Sequence, residues 1–176
     1  MTAASSSAPS APPLLETRQL TRILPATVPV VLTKDATLRI EDGEMVAITG
    51  PSGSGKSSLL YLLGALDAPS SGEVLIRGAP LSEMDDEAKA RLRLEQIGFV
   101  FQFHFLLPEF SVRENVEIPM RKIARLDRET ISARATTILS RLGLGDHTEK
   151  QPSQLSGGQR QRVAVARASL RSGSTA

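Results

Sequence analysis

The 176 residues are 40% apolar and 23% charged with a formal net charge of +2, the composition of a globular domain long enough to bury a core. There is no cysteine and there are two histidines, which excludes a disulfide framework and a thiolate metal site and argues against a histidine-based one. No apolar run approaches the roughly 18 residues of a membrane span, and the basic excess lacks the interleaved aromatic residues of a nucleic-acid interface, so we expect no nucleic-acid partner.

The chain begins with an Ala/Ser/Pro-rich stretch, residues 1–13, that contains no basic residue. We expect it to be a disordered leader, because a signal peptide would need a basic start and an apolar core. Alternating stretches from residue 14 to residue 40 predict antiparallel strands, of which 28–32 and 36–40 are the clearest. A turn at 41–44 then leads into the apolar run 45–49, which we interpret as a buried parallel strand.

Residues 50–57 read Gly-Pro-Ser-Gly-Ser-Gly-Lys-Ser and match the phosphate-loop pattern G-x-x-x-x-G-K-[ST]. The apolar run before them and the Leu-rich, helix-like stretch 58–66 after them give the strand–loop–helix context that the motif requires. Glycines let successive N–H groups point at one anion, and the helix start adds partial positive charge. Lys56 can reach the β- and γ-phosphates, and the Ser57 hydroxyl can ligate Mg²⁺. A glycine-rich surface turn is the alternative, but it does not explain this context. The predicted cofactor-binding residues are Gly50, Pro51, Ser52, Gly53, Ser54, Gly55, Lys56, Ser57 and Ser58, with Lys56 also catalytic.

After a further strand and turn at 73–78, the sequence predicts a helical insert from about residue 82 to residue 142. Ser82 and Asp85 suggest a capping box for a helix over 82–95. The acidic cluster 85–87 is better explained by the helix dipole than by catalysis. One apolar helical face comprises Ile131, Ala135, Ile138, Leu139 and Leu142, and Gly143 and Gly145 end that helix.

Between these predicted helices, residues 97–102 predict an apolar strand that ends at Gln102. The alternation of Phe99, Phe101, Phe103 and Phe105 is typical of a half-buried strand.

Residues 155–159 read Leu-Ser-Gly-Gly-Gln and open a helix-like stretch through residue 168. Ser156 and two glycines at a helix start make a second anion site, although an ordinary N-cap explains the stretch locally. Here the chain resembles the ATP-binding-cassette (ABC) ATPases, whose signature is this pentapeptide. The resemblance implies a P-loop α/β domain over 14–168 with a small antiparallel β-subdomain, a helical insert and an incomplete core sheet. It also implies ATP and Mg²⁺ as cofactors and a homodimer in which the signature acts on the other subunit's nucleotide through Leu155, Ser156, Gly157, Gly158 and Gln159.

The resemblance gives Gln102 a role that a lone glutamine would not have. In the family this position is the Q-loop, which contacts Mg²⁺ and the attacking water and senses the membrane partner. Residues 103–110 then resemble the segment that cups a permease's coupling helix, an interpretation that stays open beside the half-buried strand. Residues 69–74, 99–104 and 106–108 look most like the lipoprotein-release and macrolide-export branch. That branch implies a transmembrane permease partner and a peripheral position on the cytoplasmic face of the inner membrane.

The sequence departs from the family in two places. The aromatic residue that usually stacks on adenine upstream of the phosphate loop is absent, the first aromatic residue being Tyr61 and the nearest counterpart Leu24. No acidic residue follows Glu149, so the Walker B Asp-Glu pair and the switch histidine are missing, and residues 169–176 form an atypical tail. We therefore expect a transporter ATPase cut short by an accident of the coding sequence, with negligible hydrolysis. A non-hydrolytic nucleotide-binding module and a non-functional product are the alternatives.

Overall fold

The computed structural model describes residues 11–123 and 126–170, which form two compact units, one ending at Lys89 and the other beginning at Ala90. Most of the expected leader, residues 1–10, and most of the expected tail, residues 171–176, lie outside the described residues.

The first unit is built on a four-stranded antiparallel sheet in the order β2-β1-β3-β4. This confirms the small antiparallel β-subdomain. One helix lies in the connection between the second and third strands. The elements are β1 (Leu15–Leu24), β2 (Val30–Ile40), α1 (Lys56–Leu63), β3 (Ser71–Ile76) and β4 (Ala79–Pro80). The expected strands 28–32 and 36–40 are one continuous strand, because bulges in its pairing with β1 absorb the polar interruption at Lys34 and Asp35.

The predicted strand and turn at 73–78 are confirmed. Arg77 and Gly78 have φ values of 49° and 81° and close a tight hairpin between β3 and β4. Two consecutive positive φ angles are the geometry of a type I′ turn, whose twist matches that of the strands it joins.

The prediction of a buried parallel strand over 45–49 was wrong for this structure. The segment belongs to no sheet among the described residues, and the Met45 and Val46 side chains are 97% and 48% exposed. A strand exists only when a neighbour satisfies its backbone, and the described residues supply no partner strand for this run. It nevertheless delivers the chain to Gly50, where the predicted phosphate loop begins.

The second unit is helical. Helix α2 (Asp86–Gln96) crosses the division between the units, and α3 (Val112–Ile123), α4 (Arg128–Arg141) and α5 (Gly157–Ser169) follow. Their shared core comprises Val112, Val116, Met120, Ile131, Ala135, Leu139, Leu144, Leu155, Val163, Ala166 and Leu170. The predicted face of α4 is confirmed, with Ile138 and Leu142 partly buried against that core.

Helix α2 begins later than the sequence predicts. Asp85, not Ser82, caps it, since the Asp85 carboxylate accepts a 2.7 Å hydrogen bond from the Ala88 N–H. Ser82 lies in a preceding 3₁₀ turn and donates to Glu73 at 2.7 Å. Both residues are good caps, and the choice between them was decided by the tertiary bond to β3.

The strand predicted over 97–102 was also wrong, since no described residue pairs with it and Gln102 lies on a turn. The phenylalanines pack on one another instead: the Phe99 and Phe101 rings stack with centroids 5.6 Å apart, and Phe101 meets Phe105 edge-on at 5.3 Å. The alternating pattern therefore reports local aromatic packing rather than a half-buried strand.

A buried carboxylate in α3 is neutralised by two arginines on the same helix. Glu117, 2% exposed, accepts from Arg113 at 2.9 Å and also from Arg121. Arg113 continues to Glu149 at 2.9 Å, which ties α3 to the segment before α5. The Arg113 hydrogen bond holds the pKa of Glu149 below its ordinary value.

We expect the unfolding free energy of the chain to fall in acid. The pKa values of Glu114, Asp127 and Glu149 are all lowered, chiefly by hydrogen bonds from the Ser111 N–H, the Thr130 N–H and the Arg113 guanidinium respectively. A lowered folded-state pKa contributes stability above the unfolded-state pKa, and that contribution is lost as pH falls through the folded-state value, here below about pH 4.5. Urea unfolding followed from pH 7 to pH 3 measures this loss.

The control is a chain carrying Asp127→Asn and Glu149→Gln, which should be less stable at pH 7 and show a flatter pH dependence. Identical slopes for the two chains would contradict the assignment of the acid sensitivity to these carboxylates.

Candidate nucleotide site

The predicted phosphate loop is a glycine-hinged turn that ends at the start of α1. Gly50, Gly53 and Gly55 have φ values of 150°, 80° and 83°, which side-chain-bearing residues rarely adopt. Gly55 is the N-cap of α1 and no side chain caps this helix end. The loop thus has the backbone shape that the motif predicts, and it leaves the helix start open.

Gly55 also fixes the loop against the sheet. A Cβ placed on it would lie 1.9 Å from the carbonyl oxygen of Leu32 in β2. Only glycine allows the two backbones to approach this closely. Strand β2 therefore determines where the loop lies, a constraint that the sequence motif does not state.

Lys56, the first residue of α1, folds back over its own loop. Its ammonium donates to the carbonyl oxygens of Gly50 at 2.9 Å and Pro51 at 2.6 Å and lies 3.4 Å from the Ser54 hydroxyl. Within the described residues no carboxylate pairs with it. A cation held only by neutral oxygens can exchange them for phosphate oxygens without first breaking an ion pair.

The backbone at the start of α1 supplies further donors. The first helical bond runs from the Leu59 N–H to the Gly55 carbonyl at 2.8 Å, so the N–H groups of Lys56, Ser57 and Ser58 have no intrahelical acceptor. They point out of the helix end where the macrodipole is positive. The hydroxyl of Ser57 is exposed beside them. This donor set fits the phosphates of ATP, and the Ser57 oxygen fits a Mg²⁺ ligand.

No aromatic side chain precedes this loop in the sequence, and the residue nearest the expected adenine position is aliphatic. Leu24, at the end of β1, is 39% exposed. An exposed aliphatic side chain can cover a base but lacks the stacking energy of an aromatic ring, about 1 kcal/mol.

The signature residues form the N-terminus of α5, in the second unit. The Ser156 hydroxyl accepts from the Gln159 N–H at 3.3 Å, and the Gln159 side chain accepts from the Ser156 N–H at 2.8 Å. The structure therefore brings Leu155 to Gln159 together as a reciprocal capping box. A Cβ on Gly157 or Gly158 would meet no atom of residues 11–123 and 126–170 within 4 Å, so in this part of the chain the helix end is open to an approaching group.

Loss of this cap has a calculable cost. We expect Ser156→Ala to lower the unfolding free energy by about 1 kcal/mol, because the Gln159 N–H loses its acceptor. Chemical denaturation of the two chains measures the difference. The control is Ser153→Ala, an exposed serine shortly before the cap; an equal loss in that variant would contradict the capping role.

Gln102 lies in the second unit on an exposed turn. The Phe101 carbonyl accepts from the His104 N–H at 3.1 Å, and the Phe103 carbonyl accepts from the Phe105 N–H at 2.7 Å, so the chain reverses directly after Gln102. The rings of Phe103 and Phe105 are 78% and 60% exposed. This geometry presents aromatic surface beside Gln102.

Two residues that sequence reasoning missed hold this region. Asn115, fully buried in α3, accepts from the Leu107 N–H at 2.8 Å and donates to the Leu107 carbonyl at 2.9 Å. Arg167, in the last turn of α5, donates to the carbonyls of His104 and Phe105 at 2.8 and 2.7 Å. The sequence could have indicated Asn115, because a polar residue on the apolar face of α3 is unusual. It gave no indication of Arg167, which is one of several arginines on α5.

Comparison with known proteins places these features in one family. The family model described as "ABC transporter" matches residues 33–174. The chain is 53% identical over 131 residues to the lipoprotein-releasing system ATP-binding protein LolD 1 of Chlorobium chlorochromatii, which is 74% of this chain and 53% of that protein. It is 47% identical over 162 residues to the macrolide export ATP-binding/permease protein MacB of Burkholderia pseudomallei, which is 92% of this chain and 25% of that protein.

Solved structures agree. The dimeric structure of the ATP-binding cassette MJ0796 bound to ADP and Pi is similar at a TM-score of 0.83 and 39% identity, covering 88% of this chain and 68% of that one. A second dimeric structure of MJ0796, titled a bacterial ABC transporter cassette, has the same TM-score and identity. The chain spans about half the length of the first curated relative and a quarter of the second.

In the part of the chain that the structure describes, no helix has the length and apolarity needed to cross a bilayer. The family match extends over most of the sequence and includes both the phosphate loop, residues 50–57, and the signature, residues 155–159. This chain therefore belongs to the ABC transporter family.

Proposed function

We propose that this chain is the ATP-binding part of an ABC transporter and that residues 50–58 bind Mg-ATP. The observation that carries the proposal is the loop around Lys56, where an ammonium held by neutral oxygens lies beside an uncapped helix start. Those positively polarised donors suit the negative charge of nucleotide phosphates.

Each site residue has a distinct role in this proposal. Lys56 stabilises negative charge on the β- and γ-phosphates, and the N–H groups of Lys56, Ser57 and Ser58 at the helix start bind further phosphate oxygens. Ser57 would hold Mg²⁺, which would neutralise phosphate charge, and the family resemblance adds Gln102 as a further ligand that would also orient the attacking water. We predict that the 176 residues alone hydrolyse ATP at a negligible rate, which a phosphate-release assay measures.

We further propose that two copies assemble so that each signature, residues 155–159, contacts the nucleotide of the other. The open Gly157 and Gly158 surface supports this, because none of the residues that the structure describes comes within 4 Å of a Cβ placed on either glycine. Both similar solved structures are dimers. A subunit that presents one phosphate site and one uncovered helix N-terminus is complementary to a second copy of itself.

The proposed membrane partner is a permease whose cytoplasmic coupling helix contacts the aromatic surface beside Gln102. Phe103, Phe105 and Leu107 are exposed by 78%, 60% and 41%, an apolar patch of the kind that marks an interaction site. The names of the two curated relatives refer to lipoprotein release and to macrolide export. We propose that this chain serves a transporter of one of these two kinds, and that it lies peripherally on the cytoplasmic face of the inner membrane.

The nucleotide proposal is tested by comparing Mg-ATP, Mg-ADP and AMP in calorimetric titrations of the chain. AMP should bind at least about 100-fold more weakly than Mg-ATP, because it lacks the phosphates that receive the charge-assisted bonds from Lys56, and two such bonds are worth about 3 kcal/mol. Equal affinities for AMP and ATP would show that the phosphates are not what the loop recognises.

A further inference from the structure

We propose that Arg167 is a positioning residue that fixes the turn after Gln102 and joins that turn to the signature helix. The starting observation is the backbone of His104 and Phe105, with φ values of 64° and 45°. Consecutive left-handed residues are unfavourable for side chains other than glycine, and bulky ones tolerate them least. Something outside the turn must therefore stabilise it.

Arg167 supplies that stabilisation. Its two terminal nitrogens donate to the carbonyls of these two residues, Nη2 to His104 at 2.8 Å and Nη1 to Phe105 at 2.7 Å. Burial lowers the pKa of its guanidinium, and no carboxylate within residues 11–123 and 126–170 forms a salt bridge with it. A partly buried guanidinium whose partners are two adjacent carbonyls is specific for that backbone shape, because its planar fork matches a pair of acceptors.

The far end of the same segment is held independently by Asn115. Its buried amide contacts the Leu107 N–H and the carbonyls of Leu107, Phe110 and Ser111 at 2.8 to 3.1 Å. The segment is therefore anchored to α3 at Leu107 and to α5 at His104 and Phe105, while the Phe103 and Phe105 rings at the α5 anchor stay exposed.

The consequence is a direct mechanical connection. Helix α5 begins with the signature, and Arg167 lies in its last turn, so one rigid element carries both the signature and the clamp on the Gln102 turn. A displacement of the exposed rings is transmitted to α5 through two charged hydrogen bonds. The use of this connection in transport rests on the proposed function, whereas the clamp itself rests only on the contacts above.

Amide hydrogen exchange on the full chain tests the clamp. The reporters are the N–H groups of His104 and Phe105, which are bonded within the turn. In Arg167→Met we expect exchange across 101–106 to accelerate at least about tenfold, with α3 unchanged. Arg167→Lys should give an intermediate rate, because a single ammonium does not reproduce the planar two-carbonyl contact. Arg162→Met, an exposed arginine on the same helix, is the matched control and should leave the turn as in the parent chain.

Unchanged exchange in Arg167→Met would overturn the proposal, because it would show that Arg167 does not hold the turn. Equal acceleration in α3 and the turn would also overturn it, because Arg167 would then stabilise the whole unit rather than this turn. If Arg167→Met does not fold, Arg167→Lys decides: acceleration confined to 101–106 supports the clamp and an unchanged turn refutes it. Mg-ATP titration of the parent chain is read separately. Absence of binding there removes the proposed function but leaves the exchange pattern, and therefore the clamp, as measured.

Discussion

Mg-ATP binding should be lost when Lys56 is replaced by alanine. The ammonium is the charged group of the loop, and its present partners, the carbonyls of Gly50 and Pro51, are neutral acceptors that phosphate oxygens can replace. Truncating one partner of a hydrogen-bonded charge pair costs about 2–5 kcal/mol, so the affinity should fall at least about 30-fold. Calorimetric titration with Mg-ATP measures this directly.

The control for Lys56→Ala is Lys122→Ala, which removes the same charge from an exposed position on α3. That variant should bind Mg-ATP as the parent chain does. Unchanged affinity in Lys56→Ala would remove the phosphate-loop assignment, and an equal loss in both variants would attribute the effect to net charge rather than to the loop.

Gly55→Ala should disrupt both the loop and the first unit. The new Cβ would lie 1.9 Å from the Leu32 carbonyl oxygen, and φ at this position is 83°. Because the obstacle is backbone rather than a movable side chain, the loop or β2 must shift, and we expect a loss of more than about 3 kcal/mol in unfolding free energy. Lys56 follows directly in the chain and would be displaced with the loop, so nucleotide binding should be lost as well.

Gly53→Ala provides a matched control for the clash. Its φ is 80°, but a Cβ there meets nothing within 4 Å. Only the left-handed backbone penalty of about 1–2 kcal/mol applies. Denaturation midpoints and Mg-ATP titrations of the two variants separate clash from strain, and equal effects would contradict the claim that β2 positions the loop.

The features that the sequence predicted well are those determined by neighbours in the chain. The glycine-hinged loop, the Ser156–Gln159 capping box and the buried face of α4 all depend on residues a few positions apart. The runs 45–49 and 97–102 have strand composition, but a strand also needs a partner, and composition does not show whether one is present.

Long-range contacts were beyond prediction for a similar reason. Arg167 meets the backbone of His104 and Phe105 more than 60 residues away in sequence, and those contacts are carbonyls with no side-chain signature. Asp85 displaced Ser82 as the cap of α2 because Ser82 bonds to Glu73 in β3, a choice that local pattern does not encode. Positions of this kind become visible only when the elements are packed together.

The run 45–49 also has a consequence for the association of the chain in solution. Its side chains are largely exposed and its backbone joins no sheet among the described residues, so it offers a template on which a strand from another copy can add. Such addition is bimolecular, so we expect higher concentration to favour association through the segment that leads into Gly50 and dilution to favour the single chain.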